Sequence, residues 1–233
     1  MNTLKIILAS ASPRRRQFLT ALGIPHATAA ADIDETPHPG ERAEALALRL
    51  ARSKAQRVAD SLPADQRPAL VIGADTVVAL DGALLGKPAD AAEAVEMLVV
   101  LRGRVHQVYS ALAVVYVNQA KDLSRRDAEA QGREATIVNT TRVTMRNYTD
   151  AEIAAYVATG DPLDKAGAYA IQHRGFDPVA RLDGCPSGVM GLPAADLLAL
   201  LAEFGIAAGC PVAPVCRSLT SIACCQIDSP SRG

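Results

Sequence analysis

Several residue types that mark particular protein classes are scarce in this chain of 233 residues. Tryptophan is absent and aromatic residues make up 3% of the sequence, so we expect no stacking surface for single-stranded nucleic acid. The net charge is −1, so no overall basic field favours a nucleic-acid partner. No apolar run approaches the roughly 18 residues of a membrane-spanning helix. The sequence therefore predicts neither a nucleic acid nor a membrane as a stable partner.

Cysteine is missing from the first 184 residues, and all five cysteines lie at Cys185 or later. Their number is odd and no C-x-x-C pair occurs, so neither a disulfide framework nor a zinc site is expected. The first residues enter a strand-like run directly, without the apolar core or the small-residue cleavage site of a signal peptide. These features predict a cytoplasmic location.

Two motifs of common hydrolases are absent as well. There is no G-x-x-x-x-G-K-[ST], which excludes a P-loop enzyme, and no G-x-S-x-G, the motif of many acyl hydrolases. Short apolar runs instead alternate with amphipathic helical patterns, for example a strand at residues 4–9 and a long helix at 41–59. Such alternation predicts an α/β protein whose functional sites lie at strand ends.

The most informative stretch is residues 70–80, which is almost wholly apolar, as in a strand buried on both faces. Asp75 interrupts it, and a buried carboxylate is costly unless it is paired, hydrogen-bonded or bound to a cation. A turn at Asp81 and Gly82 follows, and Lys87 comes just beyond it. This arrangement predicts a site for metal-bound phosphate. The alternative is a carboxylate that is satisfied locally inside a core strand.

A second candidate region joins the first strand to a helix. Ser12 stands where an N-cap is expected and Pro13 at the first helical position, so backbone N–H groups point beyond the strand end. Arg14 and Arg15 follow in the first turn, where cations are mildly disfavoured by the helix dipole. Their presence there indicates that an anion binds at this end of the helix. A solvated basic helix start is the alternative.

Further polar candidates lie on a loop, on the long helix and in a later loop. Asp32, Asp34 and Glu35 can present carboxylates in one direction and suit Mg²⁺, which takes one or two carboxylates plus substrate phosphates; a solvated loop is the alternative. Lys54 belongs to the helix at 41–59. Residues 160–172 read as a loop leading into a short strand, and its polar candidates are Asp164, Lys165 and Gln172. Acids and cations in such numbers indicate metal-assisted phosphoanhydride chemistry. His106 is expected to be structural.

Eight short motifs in order resemble the Maf family of nucleoside triphosphate pyrophosphatases: LASASPRR, IDET, LARSKAQ, IGADT, GKP, GRVHQV, DPLDKAGAYAIQ and GLP. They cover roughly residues 4–206. The resemblance implies an α/β fold with a mixed twisted sheet, flanked by helices in two lobes with an active-site cleft between them. It also implies a divalent cation, Mg²⁺ or Mn²⁺. Residues 1–207 are expected to form one domain, and residues 208–233 a poorly ordered tail.

The resemblance also implies roles for single residues. Asp75 matches the catalytic acid, described as a proton acceptor; it would either activate the attacking water directly or hold the metal that does so, and Glu35 would share that metal. Phosphate-binding positions match Ser10, Arg15, Lys54 and Lys87. The substrate-specificity set of the branch that acts on dTTP and UTP matches Arg14, Thr76 and Gln172. The sister branch, which acts on 7-methyl-GTP, typically carries Trp instead of Arg after the Ser-Pro pair.

The sequence thus predicts a hydrolase that converts dTTP and UTP, or modified pyrimidine nucleotides, to the monophosphate and pyrophosphate. Such a house-cleaning activity keeps unwanted nucleotides out of nucleic acids. Two alternatives stay open: a nucleotide-binding regulator of cell division or septum formation with weak catalysis, and a 7-methyl-GTP-type pyrophosphatase. The chain departs from the family pattern at Val105 and at His173–Arg174, the latter beside a specificity residue. Exposed apolar helix faces would permit a homodimer.

Overall fold

A computed structural model describes residues 4–118 and 133–225 of the chain. Within these ranges seven strands form one sheet: β1 (Lys5–Leu8), β2 (Ala27–Thr28), β3 (Ala69–Leu80), β4 (Ala83–Leu85), β5 (Val105–Val117), β6 (Glu134–Met145) and β7 (Val179–Asp183). Their order is β2-β1-β3-β5-β6-β7, and β4 pairs with β3. The strand β1 runs parallel to both β2 and β3. The pairs β3–β4, β3–β5, β5–β6 and β6–β7 are antiparallel. The predicted mixed α/β sheet is confirmed.

Seven α-helices flank the sheet in the described ranges: α1 (Pro13–Ala21), α2 (Ala43–Ser61), α3 (Ala91–Leu101), α4 (Asp150–Val157), α5 (Pro186–Val189), α6 (Ala194–Ala202) and α7 (Val212–Thr220). The segment 160–172 contains two short 3₁₀ turns in place of the predicted loop and short strand. None of the helices in the described ranges combines the length and apolar content needed to cross a membrane.

The sheet carries a separate core on each face. On the first, called here the α2 face, small residues of α2 such as Ala47, Ala51 and Ala55 pack against β3 and β5. On the second, called here the multi-helix face, larger side chains of α1, α3, α4 and α6 surround β3, β5 and β6. Because neighbouring residues of a strand point to opposite faces, β3 contributes to both cores.

Gly73 lets α2 approach the sheet closely. A Cβ at this position would lie 2.1 Å from the carbonyl oxygen of Ala51 and 2.8 Å from the backbone nitrogen of Ala55. Only glycine fits between these backbones without movement of the helix. Lys54 lies between Ala51 and Ala55 in α2, so the close approach brings it against the strand that carries Asp75.

The middle of β3 lies at a gap in the sheet. On one edge, β1 pairs with residues 69–72 and β4 with residues 78–80, so residues 73–77 face the space between these two shorter strands. Asp75 lies on the α2 face and Thr76 on the multi-helix face, yet both side chains reach this opening. The gap explains how one cleft draws on both faces of the sheet.

The C-terminal segment differs from the sequence expectation. Residues from 209 onward were expected to lack regular structure, but Val212–Thr220 forms α7, and Val215 and Cys216 are buried against the multi-helix core. Pro214 lies in the first turn of this helix, where backbone N–H groups have no intrahelical partner, so it does not interrupt the helix. The domain division at residue 207 stays a prediction, and residues 226–233 lie outside the described residues.

Candidate active site

A cleft of about 900 Å³ opens where β1 ends and where β3 faces its gap. Its size is within the range of small-molecule sites in proteins. The nine residues to which the family resemblance gives roles all line it: Ser10, Arg14, Arg15, Glu35, Lys54, Asp75, Thr76, Lys87 and Gln172. The structure thus brings together side chains that are separated by up to about 160 positions in the chain, from Ser10 to Gln172.

The centre of the cleft holds a cation between two carboxylates. Lys54 Nζ lies 2.6 Å from Asp75 Oδ1 and 2.7 Å from Glu35 Oε1. Lys54 is 8% exposed and Asp75 is 7% exposed, whereas the Glu35 side chain is 58% exposed. The ammonium group offsets the cost of burying Asp75. The pairing also shows that both carboxylates point at one cation position.

These carboxylates fit a divalent cation that is shared with a substrate. The described residues contain no group of three or more His, Cys, Asp or Glu side chains able to hold a metal by themselves. Mg²⁺ commonly takes one or two carboxylates and completes its shell with phosphates and water. Asp75 and Glu35 supply that number of ligands.

The acidic run of the sequence contributes to the cleft through Glu35. Asp34 instead accepts a hydrogen bond of 2.9 Å at Oδ1 from the backbone N–H of Thr36, which closes the loop locally. The hydrogen bonds from Thr36 lower the pKa of the Asp34 carboxyl. Of this run, Glu35 therefore lines the cleft, whereas Asp34 holds its own loop.

The start of α1 forms a cationic wall of the cleft. Ser12 caps the helix as predicted, and Arg15 is fixed by two hydrogen bonds, from Nη1 to Ser10 Oγ (3.1 Å) and from Nε to the carbonyl oxygen of Gly191 (2.8 Å). Burial lowers the pKa of Arg15, which as a guanidinium nevertheless keeps its charge. Ser10 Oγ also accepts from the backbone N–H of Ser12 (3.2 Å). Since both contacts use Ser10 as an acceptor, its own proton remains for an acceptor in the cleft.

Arg14 and the predicted polar loop meet at the mouth of the cleft. Arg14 Nη1 lies 3.3 Å from Asp164 Oδ2. Lys165 is 9% exposed, and its ammonium group contacts Asp164 Oδ1 at 2.6 Å and Asp161 Oδ1 at 2.9 Å. Two carboxylates of the same loop therefore hold the Lys165 cation, which gives this residue a part in shaping the loop.

Thr76 has a hydrogen-bond neighbour, Ser110, that sequence reasoning missed. Its Oγ1 lies 3.1 Å from Ser110 Oγ, and Ser110 donates to the carbonyl oxygen of Gly188 at 2.6 Å. Ser110 is the residue paired with Thr76 between β3 and β5. The sequence around Ser110 carries no signal for this contact, because the partner of the hydroxyl depends on strand register.

His106 lies behind the cleft on the multi-helix face. It is fully buried, and its Nε2 lies 2.7 Å from the hydroxyl oxygen of Tyr169, which lines the cleft. Burial lowers the pKa of His106 to about 4, so the imidazole is neutral near pH 7. These contacts agree with the structural role expected for this histidine.

The fold and the cleft define a class of protein: a mixed α/β protein with carboxylates and cations arranged as in phosphate-handling sites. Comparison with protein families matches residues 5–204 to the family described as Maf-like protein. The chain belongs to the Maf family.

Three curated relatives are similar over most of their length. The chain is 48% identical over 201 residues to a protein of Myxococcus xanthus, a match that covers 86% of this chain and 93% of the relative. It is 45% identical over 206 residues to a protein of Moorella thermoacetica, covering 87% and 96%. It is 44% identical over 207 residues to a protein of Methylobacillus flagellatus, covering 89% and 96%. Each relative is named dTTP/UTP pyrophosphatase.

Proposed function

We propose that this protein is a nucleoside triphosphate pyrophosphatase that hydrolyses dTTP and UTP to the monophosphate and pyrophosphate. The observation that carries the proposal is the convergence of Asp75 and Glu35 on Lys54 beside the cationic wall of α1. The names of the three relatives support the choice of substrates. The activity would remove unwanted or modified pyrimidine nucleotides before they enter nucleic acids.

The proposed reaction is attack of water on the α-phosphorus. The bond between that phosphorus and the oxygen that bridges to the β-phosphate breaks, and pyrophosphate leaves. Lys54 donates to Asp75 Oδ1, which orients the carboxylate and leaves its other oxygen to accept a proton from the water. A divalent cation, Mg²⁺ or Mn²⁺, would be held by Glu35 and Asp75 with the phosphates and would neutralise phosphate charge.

The leaving pyrophosphate gains negative charge as the bond breaks, and the cleft offers donors for it. Arg15 is held by two hydrogen bonds, the Ser10 hydroxyl has a proton to donate, and Lys87 and Lys54 add positive charge to the same cleft. Fixed donors of this kind are worth more than solvent because they need no reorganisation during the reaction. We assign the triphosphate to this part of the cleft.

The base is assigned to the part of the cleft beside Thr76. Thr76, Gln172 and Arg14 all line the cleft. The Gln172 amide offers a donor and an acceptor, which suits the edge of a pyrimidine. His173, where the chain departs from the family pattern, makes contacts within its own loop. Its Nδ1 accepts a 3.0 Å hydrogen bond from the backbone N–H of Phe176, and its ring packs against Tyr156.

A panel of nucleoside triphosphates tests the proposal. Purified protein is incubated with dTTP, UTP, CTP, GTP and 7-methyl-GTP in Mg²⁺ or Mn²⁺, and pyrophosphate and orthophosphate are measured separately. We expect pyrophosphate from dTTP and UTP, and loss of turnover when the cation is chelated. Preference for 7-methyl-GTP would contradict the substrate assignment. Tight binding of dTTP without turnover would instead support the nucleotide-binding regulator.

The cytoplasmic location stays a prediction, and a homodimer is proposed on one surface. The outer side of α3 exposes Val95, Val99 and Val100, each at least 36% accessible. An apolar stripe of this kind favours association with a second copy. Sedimentation or size-exclusion measurements of the purified chain, with Val99→Lys as the disrupting variant, would test this assembly, and a monomer at all concentrations would contradict it.

A further inference from the structure

The hydroxyl of Ser110 has its proton direction fixed by the protein. Ser110 is 1% exposed and its Oγ lies 2.6 Å from the carbonyl oxygen of Gly188. A carbonyl oxygen can only accept, so the single Ser110 proton occupies this contact. If that proton pointed elsewhere, two oxygen lone pairs would face each other at 2.6 Å in a buried place, which is unfavourable.

The acceptor for Ser110 is itself held in place. The carbonyl oxygen of Gly188 also accepts from the backbone N–H of Gly191 at 2.8 Å, and the Gly188 N–H donates to Cys185 Sγ at 3.3 Å. A carbonyl oxygen has two lone pairs, so both donors can be satisfied together. The peptide therefore cannot turn away from Ser110 without loss of other hydrogen bonds.

This arrangement decides the direction of the neighbouring contact. Ser110 Oγ lies 3.1 Å from Thr76 Oγ1, and the Ser110 proton is already used, so Thr76 is the donor. With its proton directed at Ser110, Thr76 presents oxygen lone pairs to the cleft that it lines. The wall at Thr76 is therefore a hydrogen-bond acceptor.

We infer that Ser110 is a positioning residue that makes Thr76 an acceptor for the N3–H group of a pyrimidine base. This inference rests on the proposed function and extends it to the selection between bases. Uracil and thymine carry a proton on N3, whereas N3 of neutral cytosine carries a lone pair. An acceptor facing that lone pair leaves both groups unpaired, so CTP and dCTP are discriminated against.

The first experiment compares UTP with CTP in wild-type protein and in Ser110→Ala. Without Ser110 the Thr76 hydroxyl can rotate and donate to N3 of cytosine, so the ratio of kcat/KM for UTP to that for CTP should fall about tenfold. The fall should come mainly from faster CTP turnover. General damage to the site would slow both substrates and leave their ratio unchanged. Ser61→Ala is the matched control, since Ser61 also donates to a backbone carbonyl, that of Val58 (2.9 Å), away from the cleft.

A second set of measurements serves if Ser110→Ala does not fold, as judged by its thermal unfolding. Thr76→Ser keeps the hydroxyl beside Ser110 and should keep the preference for UTP, whereas Thr76→Val removes the acceptor and should lower it. In wild-type protein, 3-methyl-UTP lacks the N3 proton and should be turned over at least about tenfold less well than UTP.

The outcomes separate this inference from the proposed function. If wild-type protein releases no pyrophosphate from UTP or dTTP, the proposed function is wrong and the inference with it. If UTP is the better substrate but folded Ser110→Ala keeps the wild-type ratio, the inference alone is wrong. A wild-type preference for CTP would also overturn it, because the acceptor would then meet the exocyclic amine of cytosine.

Discussion

Asp75 and Thr76 are neighbours in β3, yet their surroundings differ in almost every physical respect. On the α2 face, Asp75 meets the charged group of Lys54 at 2.6 Å, and small residues let the helix backbone approach the strand. On the multi-helix face, Thr76 meets the neutral hydroxyl of Ser110, behind which lies a core of larger side chains. Within β3, the side chain on the α2 face is thus a charged partner of Lys54, and the side chain on the multi-helix face is a hydroxyl in a chain of hydrogen bonds; a further charge, Arg15, reaches the cleft from α1 on the multi-helix side.

This difference teaches how one strand can serve two tasks. Charges act on phosphate oxygens and on the attacking water, where electrostatic stabilisation dominates. Hydroxyl groups of fixed direction act on a base, where a wrong partner leaves a buried polar group unpaired. Because the side chains of Asp75 and Thr76 point to opposite faces of the sheet, a change at one of them should leave the contacts of the other largely intact.

The largest effect is expected for Asp75→Asn, which removes the charge but keeps the shape. We expect kcat for dTTP to fall about a thousandfold, or about 4 kcal/mol in the activation barrier, because the amide neither accepts the proton of water nor binds a cation well. The ratio of UTP to CTP turnover should stay within about threefold of wild type, since base selection lies on the other face.

The matched control for this change is Asp81→Asn, at the turn that follows β3. Asp81 is paired with Arg104 on an exposed surface, so its replacement should leave kcat nearly unchanged. Steady-state release of pyrophosphate measures both variants. Turnover of Asp75→Asn near the wild-type rate would remove the central assignment of the α2 face.

The next effect concerns the stability of the multi-helix face as a function of pH. Burial lowers the pKa of His106 to about 4, against about 6.5 for an exposed histidine. The unfolded chain therefore binds a proton between pH 6.5 and 4 that the folded protein does not. The free energy of unfolding should fall by about 3 kcal/mol from this residue as the pH falls through that window, and the contribution is fully present above it.

Urea unfolding of wild type and of His106→Phe at several pH values checks this expectation. The variant should be less stable at pH 7 because the hydroxyl of Tyr169 loses its partner, but its stability should vary less with pH between 6.5 and 4. Equal slopes in the two proteins would show that His106 does not titrate as described.

The comparison between faces also shows what the sequence could predict. The capped start of α1, the buried β3 and the placing of acids and lysines in one cleft follow from signals within a few residues, or from the motif pattern of the family. The role of Asp34 could not be predicted, because three adjacent acids look alike until loop geometry places one toward Thr36. Local signals and the family motifs therefore predicted which charged residues lie near Asp75.

The surroundings of Thr76 depend on contacts between segments that are distant in the sequence. Ser110 gave no useful signal, because its importance depends on the register of β5 against β3 and on a carbonyl from Gly188, 78 positions away. The helix α7 was missed because it is stabilised by packing a few apolar residues against the multi-helix core, and the segment alone does not reveal this packing. Both features depend on tertiary packing, which a pattern within one segment does not contain.

A smaller effect is expected where α2 touches β3. In Gly73→Ala the new Cβ would lie 2.1 Å from the Ala51 carbonyl oxygen, so the helix must shift. We expect a loss of about 2 kcal/mol in the free energy of unfolding. Activity should fall as well, because the helix carries Lys54.

Gly86→Ala is the control for Gly73→Ala. A Cβ at Gly86 would have no neighbouring atom within 4 Å among the residues that the structure describes. The free energy of unfolding of Gly86→Ala should therefore stay within about 0.5 kcal/mol of wild type. Urea unfolding should be measured on both proteins, and pyrophosphate release on Gly73→Ala and wild type, because Gly86 itself lines the cleft beside Lys87. A Gly73→Ala variant as stable as Gly86→Ala and as active as wild type would show that the close approach of α2 is not needed to position Lys54.

The smallest effect is expected at the mouth of the cleft, where the two sides meet. The Asp164 side chain is 66% accessible and pairs with Arg14 at 3.3 Å and with Lys165 at 2.6 Å. Because Asp161 still holds Lys165 in Asp164→Asn, stability should change by only about 1 kcal/mol. Without this carboxylate Arg14 is free to attract the anionic substrate, and we expect KM for dTTP to fall about twofold with kcat unchanged. Added salt should reduce the difference, because exposed charges are screened. Asp183→Asn is the control, since Asp183 pairs with Arg181 on β7. A rise in KM for Asp164→Asn would show instead that Asp164 holds Arg14 in its working position.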